Sequence, residues 1–135
     1  MIANIIVKYI GDLRTEATHL DSNSKIITDA PKDNNGLGRK FSPTDLVVSS
    51  LSSCLLTIMG IVSKRHKIPM DDSFIEAEKI MGVNPRRIKE INLKIYMSSN
   101  IAANKMKLLK NAASHCPVHN SLSENMNIRI QFKSV

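Results

Sequence analysis

Apolar and polar positions fall into blocks of different period along this 135-residue chain. Residues 2–9, IANIIVKY, are rich in β-branched residues, which suit the pleated surface of a strand. Gly11-Asp12 marks a turn, and Leu13 to Leu20 alternates as the second arm of a hairpin. After the turn cluster Asp21-Ser22-Asn23-Ser24, Lys25 to Thr28 forms a short third strand. Asp29 to Lys40, polar and glycine-containing, is a loop that feeds a stretch with no period at all. From Leu46 to Val62 nearly every residue is apolar or small, and none is charged. Ser42-Pro43-Thr44-Asp45 opens this stretch as a helix. Ser42 can cap, Pro43 fits the first helical position, and Asp45 completes a capping box with Asp in place of Glu. A helix apolar on all sides prepares no face for water and belongs in a core or a membrane. Its seventeen uncharged residues fall short of the roughly 20 that span a bilayer. Five hydroxyl residues among them lower the affinity for lipid further. We expect a buried central helix with Cys54 in its middle and no membrane partner.

Lys64-Arg65-His66-Lys67 suits the negative end of that helix, and Pro69 prevents its continuation. Residues 73–83 and 88–98 read as two strands joined through Asn84-Pro85-Arg86-Arg87. In the second, Ile88, Ile91, Leu93, Ile95 and Met97 alternate with Lys89, Asn92, Lys94 and Tyr96. The phase slips near Glu90, which points to a bulge. Residues 101–114 carry apolar positions at helical spacing, with Asn100 as the expected cap. Cys116-Pro117 begins a short helix to about Glu124, and Asn127 to Lys133 alternates as a last strand. The order βββ-α-ββ-αα-β predicts one α+β domain over residues 1–135 with a mostly antiparallel sheet.

Length is that of a single domain. With no Trp, two Tyr and three Phe, the core must rest on Ile, Leu, Val and Met. The first residues lack a basic leader and a small-residue cleavage site, so a cytoplasmic protein is expected. The net charge of +7 permits attraction to anions. The basic residues are spread through strand-like and helix-like segments and few aromatics are available to stack on bases, so nucleic acid is not an expected partner. Two cysteines 62 positions apart are too few for a disulfide scaffold and too distant for a CxxC motif.

Those cysteines are the best candidates for chemistry. Pro117 would place Cys116 at a helix N-cap, facing unpaired N–H groups and the positive end of the dipole. Its pKa should then fall below the ordinary thiol value of about 8.5. The alternative is a cysteine that merely precedes a helix-starting proline. Cys54 lies in an apolar stretch that disfavours a thiolate, so a nucleophilic Cys54 needs a cation from elsewhere; Arg14, Arg39 and His119 are the candidates. Without one it is a packing residue. His115, Cys116 and His119, with Cys54, could be drawn as a metal site, but one CxxH element lacks its second half and no metal is expected. No phosphate-cradling glycine loop and no GxSxG elbow is present.

Two motifs together resemble a known family. FSPTDLVVSSLSSC (41–54) resembles the helix entry of the osmotically induced protein C and organic hydroperoxide resistance (OsmC/Ohr) family, with a cysteine eleven residues after the helix-starting proline. CPVHNSL (116–122) resembles that family's second cysteine motif, and GDLRTEATH (11–19) its early hairpin. The resemblance covers nearly the whole chain. It implies an α+β, OsmC-like fold around a long central helix, assembled as an intertwined homodimer with active sites at the interface. It implies a thiol peroxidase for oxidative stress defence, with Cys54 attacking an organic or inorganic hydroperoxide and Cys116 resolving the sulfenic acid as a disulfide. An external dithiol or lipoylated protein would restore the thiols, with no bound cofactor.

One departure bears on efficiency and substrate choice. The peroxidase branches carry a Glu directly after the helix-starting proline, paired with an Arg that stabilises the thiolate. Here that position is Thr44, and Asp45 would point about 100° further around the helix. Arg14 and Arg39 are both candidates for the Arg. The sequence is thus closer to a less characterised branch of the family. The alternative function is a non-catalytic small-molecule-binding or redox-sensing protein on the same scaffold.

Overall fold

A computed structural model describes residues 1–135, and its contacts divide the chain into two compact units, Met1–Val47 and Val48–Val135. The first is an antiparallel meander of β1 (Ile5–Gly11), β2 (Arg14–His19) and β3 (Ser24–Asp29) in the order β1-β2-β3. β-Branched residues and tight turns produce the meander as expected, with a register shift between Tyr9 and Gly11 at the hairpin end. Its sheet covers little. Ile5, Val7 and Tyr9 on one side of β1 are 57%, 61% and 68% exposed, and Ile6 on the other side is also exposed.

Burial in this unit is concentrated where β3 enters the following loop, at Thr28 and Asp29. The loop winds back on itself, with Gly36 and Gly38 N–H groups donating to Pro31 and Ala30 carbonyls. A Cβ on Gly36 would lie 1.8 Å from the Ala30 oxygen, so only glycine permits this approach. Asp29 N–H donates to Phe41 O (3.1 Å), which ties the loop's end to its beginning. The helix then starts as the sequence predicts. Asp45 N–H donates to Ser42 Oγ (3.1 Å), and Ser42 N–H donates to the Asp45 carboxylate (2.9 Å). Both halves of the capping box are formed, on a Ser42 that is itself buried.

The central helix, α1 (Pro43–His66), runs 24 residues, longer than its uncharged segment. One helix is therefore long and apolar enough, by length and composition, to cross a bilayer. The sequence argument that it is too short does not hold. α1 buries one stripe, Val48, Leu51, Leu55, Met59 and Ser63, while Ser50, Ser53, Thr57 and Ile61 on its other side are exposed.

The remaining elements of the second unit are β4 (Phe74–Gly82), β5 (Arg87–Met97), α2 (Ala103–Ala113), α3 (Pro117–Ser121) and β6 (Asn127–Ser134). The sheet order is β4-β5-β6. β5 behaves as its alternation demands, with Ile88, Ile91, Leu93, Ile95 and Met97 buried. Ile80 pairs with Glu90 and Met81 with Ile88, so the bulge falls at Lys89, beside the predicted slip. β6 pairs with β5 in parallel, because the α2–α3 crossover returns the chain to the starting end of β5. The α2 cap is Ala102, with no side-chain hydrogen bond, in place of Asn100. Asn100 lies in the preceding turn, its N–H donating to Ser98 Oγ (3.2 Å). Leu51, Leu55 and Met59 of α1, the inner residues of β5, Leu109 of α2 and Cys116 form the fully buried core.

Candidate active site

Cys54 follows Leu51 by one turn and precedes Leu55 by one residue, so it sits at the margin of the buried stripe and is half-exposed. Cys116 is placed by the proline behind it. The residue before a proline is held extended, and Cys116 adopts φ −70° and ψ 116° as the N-cap of α3, with Pro117 in the first turn. Its Sγ accepts the His119 N–H at 3.4 Å and is wholly enclosed.

The fold brings the two thiols, 62 positions apart in sequence, close enough for Cys54 to act on the Cys116 thiol, and both are free. Burial, and next the Cys54 thiol, push the Cys116 pKa up; the His119 and Val118 N–H groups pull it down less strongly. The expectation of a lowered pKa at this N-cap is therefore overturned. A short helix end offers two backbone donors, whereas complete enclosure removes water from every side of the sulfur. Cys116 is held as a neutral thiol beside a more accessible partner. That pair can form a disulfide once one sulfur is oxidised.

Arg14 and Arg39 belong to the first unit and differ sharply in their commitments. Arg39 Nε donates to Asp29 Oδ2 at 2.7 Å, its backbone N–H donates to the same oxygen at 3.0 Å, and Nη2 reaches Asp12 at 3.2 Å. The Asp29 carboxylate is only 1% exposed, and the side-chain bond from Arg39 holds it below the usual carboxylate range. Arg14 lies across from Asp29 in the β2–β3 register, yet its buried Nε has no hydrogen-bond partner. Sequence reasoning missed Asp29 and Asp12. Nothing in local spacing joins residues 12, 29 and 39, although an acid closing a strand before a glycine-containing loop was a visible oddity.

Thr44 Oγ1 pairs with Ser42 Oγ (3.2 Å), and the Asp45 carboxylate is part of the helix cap, so neither reproduces the acid found in the peroxidase branches. His119 meets Cys116 through its backbone N–H. His115 Nδ1 lies 2.9 Å from Asn111 O, and no three His, Cys, Asp or Glu side chains converge as metal ligands.

An α+β unit with a long core helix carrying one thiol and a short helix capped by another defines the class. The profile of the family described as OsmC-like protein matches residues 35–131, and the chain belongs to that family. It is 40% identical to a candidate osmotic stress induced and detoxification response protein from Psychrobacter arcticus, over 98% of this chain and 97% of that one, with a TM-score of 0.93. An OsmC-like protein from Mycoplasma pneumoniae shares the fold at 20% identity, covering 100% and 98% of the two chains, with a TM-score of 0.83. So does an organic hydroperoxide resistance protein OsmC from Legionella pneumophila, described also as a predicted redox protein, at 20% identity, 100% and 99% coverage and a TM-score of 0.74. No curated protein sequence gives a significant match.

Proposed function

We propose that this chain is a thiol-dependent peroxidase that reduces organic or inorganic hydroperoxides in a cytoplasmic, reducing setting. The observation that carries this reading is the proximity of a half-buried Cys54 to an enclosed, neutral Cys116 thiol. The Cys54 thiolate attacks one peroxide oxygen and breaks the O–O bond, giving a sulfenic acid and an alkoxide or hydroxide that takes a proton to leave as alcohol or water. The Cys116 thiol then displaces the sulfenic hydroxyl, forming the S–S bond and releasing water. An external dithiol, free or lipoyl-bound, reduces the disulfide by exchange and is itself oxidised. Burial supports this division of labour, because the resolving sulfur must stay a thiol until the sulfenic acid exists.

Arg39 is engaged by Asp29 and Asp12, whereas the buried Arg14 Nε has no hydrogen-bond partner. A homodimer is part of the same reading. It is supported by the exposed apolar residues of β1, because monomers seldom leave large apolar patches in water.

The test is peroxide consumption with dithiothreitol or a lipoyl reductant, using cumene hydroperoxide and hydrogen peroxide. Wild type should turn over, and Cys54→Ser should fall to the uncatalysed rate. Cys116→Ser should consume about one equivalent before slowing. Equal, slow rates for wild type and Cys54→Ser with both peroxides would sink the proposal. A single disulfide formed without turnover identifies a redox sensor on the same scaffold instead.

A further inference from the structure

Helix α3 has a feature that the dithiol cycle leaves unexplained, which is that its N-cap acceptor is a sulfur. Cys116 Sγ accepts the His119 N–H, and the turn is otherwise closed by Asn120 N to Cys116 O (3.0 Å) and Leu122 N to His119 O (3.2 Å). The helix has five residues, none of them buried. So short a helix cannot sustain itself, because the first turn fixes several residues for each hydrogen bond gained. Its cap therefore matters more than a cap on a long helix.

Oxidation changes that cap. In the cycle proposed above, on which this inference rests, two thiols and one hydroperoxide become one disulfide, one alcohol and one water. Disulfide sulfurs stand about 2.05 Å apart, closer than two free thiols can approach. Cys54 is anchored within a 24-residue helix beside the buried Leu51 and Leu55. Cys116 lies between the end of α2 and a helix with no buried residue, so the closing movement falls on Cys116. Sulfur is a weak acceptor at best, and drawing it toward Cys54 removes it from the His119 N–H.

We propose that α3 is a redox-responsive element: closing the Cys54–Cys116 disulfide removes its N-cap and loosens residues 117–122. With them goes one wall of the adjoining cleft of about 470 Å³, bounded by His119, Leu122, Glu124 and Met126. Reduced and oxidised protein then differ on the surface as well as at the two sulfurs.

Amide hydrogen exchange followed by NMR on the full chain tests this, with the disulfide verified by mass. In wild type, stoichiometric peroxide should accelerate exchange at His119, Asn120 and Leu122 by roughly twofold or more, the low end of the loss expected for a helix cap. Ile91, Leu93 and Ile95 should not change. Cys54→Ser should show no acceleration after peroxide. Without oxidant, Cys116→Ala should exchange as fast as oxidised wild type, and Cys116→Ser, which restores a strong cap, should remain protected. Unchanged exchange in protein with a verified disulfide overturns the inference and leaves the peroxidase reading standing. If diamide closes the disulfide and accelerates exchange where peroxide does neither, the switch stands and the peroxidase reading falls. No disulfide with either oxidant overturns both.

Discussion

Cys116 shows how two local effects of opposite sign are decided by solvent. As the N-cap of α3 it faces the His119 and Val118 N–H groups, which favour a thiolate, yet enclosure and the neighbouring Cys54 thiol outweigh them. The difference has a chemical readout, because alkylation requires both a thiolate and access. Brief treatment of reduced protein with iodoacetamide at pH 7.5 should label Cys54 at least about tenfold faster than Cys116, as measured by peptide mapping. Comparable labelling of the two, or faster labelling of Cys116, contradicts the assignment of Cys54 as the attacking sulfur. The sequence reading placed both cysteines correctly on their helices, but position on a helix carries no information about enclosure, and so it predicted the wrong direction for Cys116.

Among the elements, the loop between β3 and α1 is organised by one buried acid. Asp29 receives Arg39 through three donors and donates its own N–H to Phe41 O, next to the Ser42–Asp45 cap. Its carboxyl is held below the ordinary range, chiefly by the Arg39 side chain. A depressed pKa contributes stability that is complete above the unfolded value of about 3.9 and disappears as pH falls through the lower folded value. Thermal melts should therefore show wild type well above Asp29→Asn at pH 6, with the gap closing on acidification toward about pH 3. A gap that does not depend on pH rules out the charged pair as its source. The element order, the α1 cap and the β5 bulge were legible because each is written in residues close together in sequence. The Arg39–Asp29–Asp12 cluster, the parallel β5–β6 pairing and the displaced start of α2 were not, since they depend on contacts between distant segments or on a turn that competes for its own cap.

For the whole molecule, the composition of α1 and its burial within one chain do not match. The sequence prepares no side of the helix for water, yet the single chain buries only one stripe and leaves Ser50, Ser53, Thr57 and Ile61 outside. Full burial of α1 is an expectation for a homodimer, and the proposed second subunit would cover the side that one chain leaves outside. Gly60, on this less covered side, would meet nothing within 4 Å if it gained a Cβ. Judged on one chain, Gly60→Ala should stabilise α1 by roughly 0.5–1 kcal/mol, because glycine is a poor helix former. Packed against another helix, the same position must stay small, and a larger side chain would hold the subunits apart. We therefore expect wild type to sediment as a dimer at micromolar concentration and Gly60→Arg to shift toward monomer while keeping its helical circular dichroism. A wild type that sediments as a monomer, or a Gly60→Arg variant that dimerises as tightly as wild type, removes α1 from the interface.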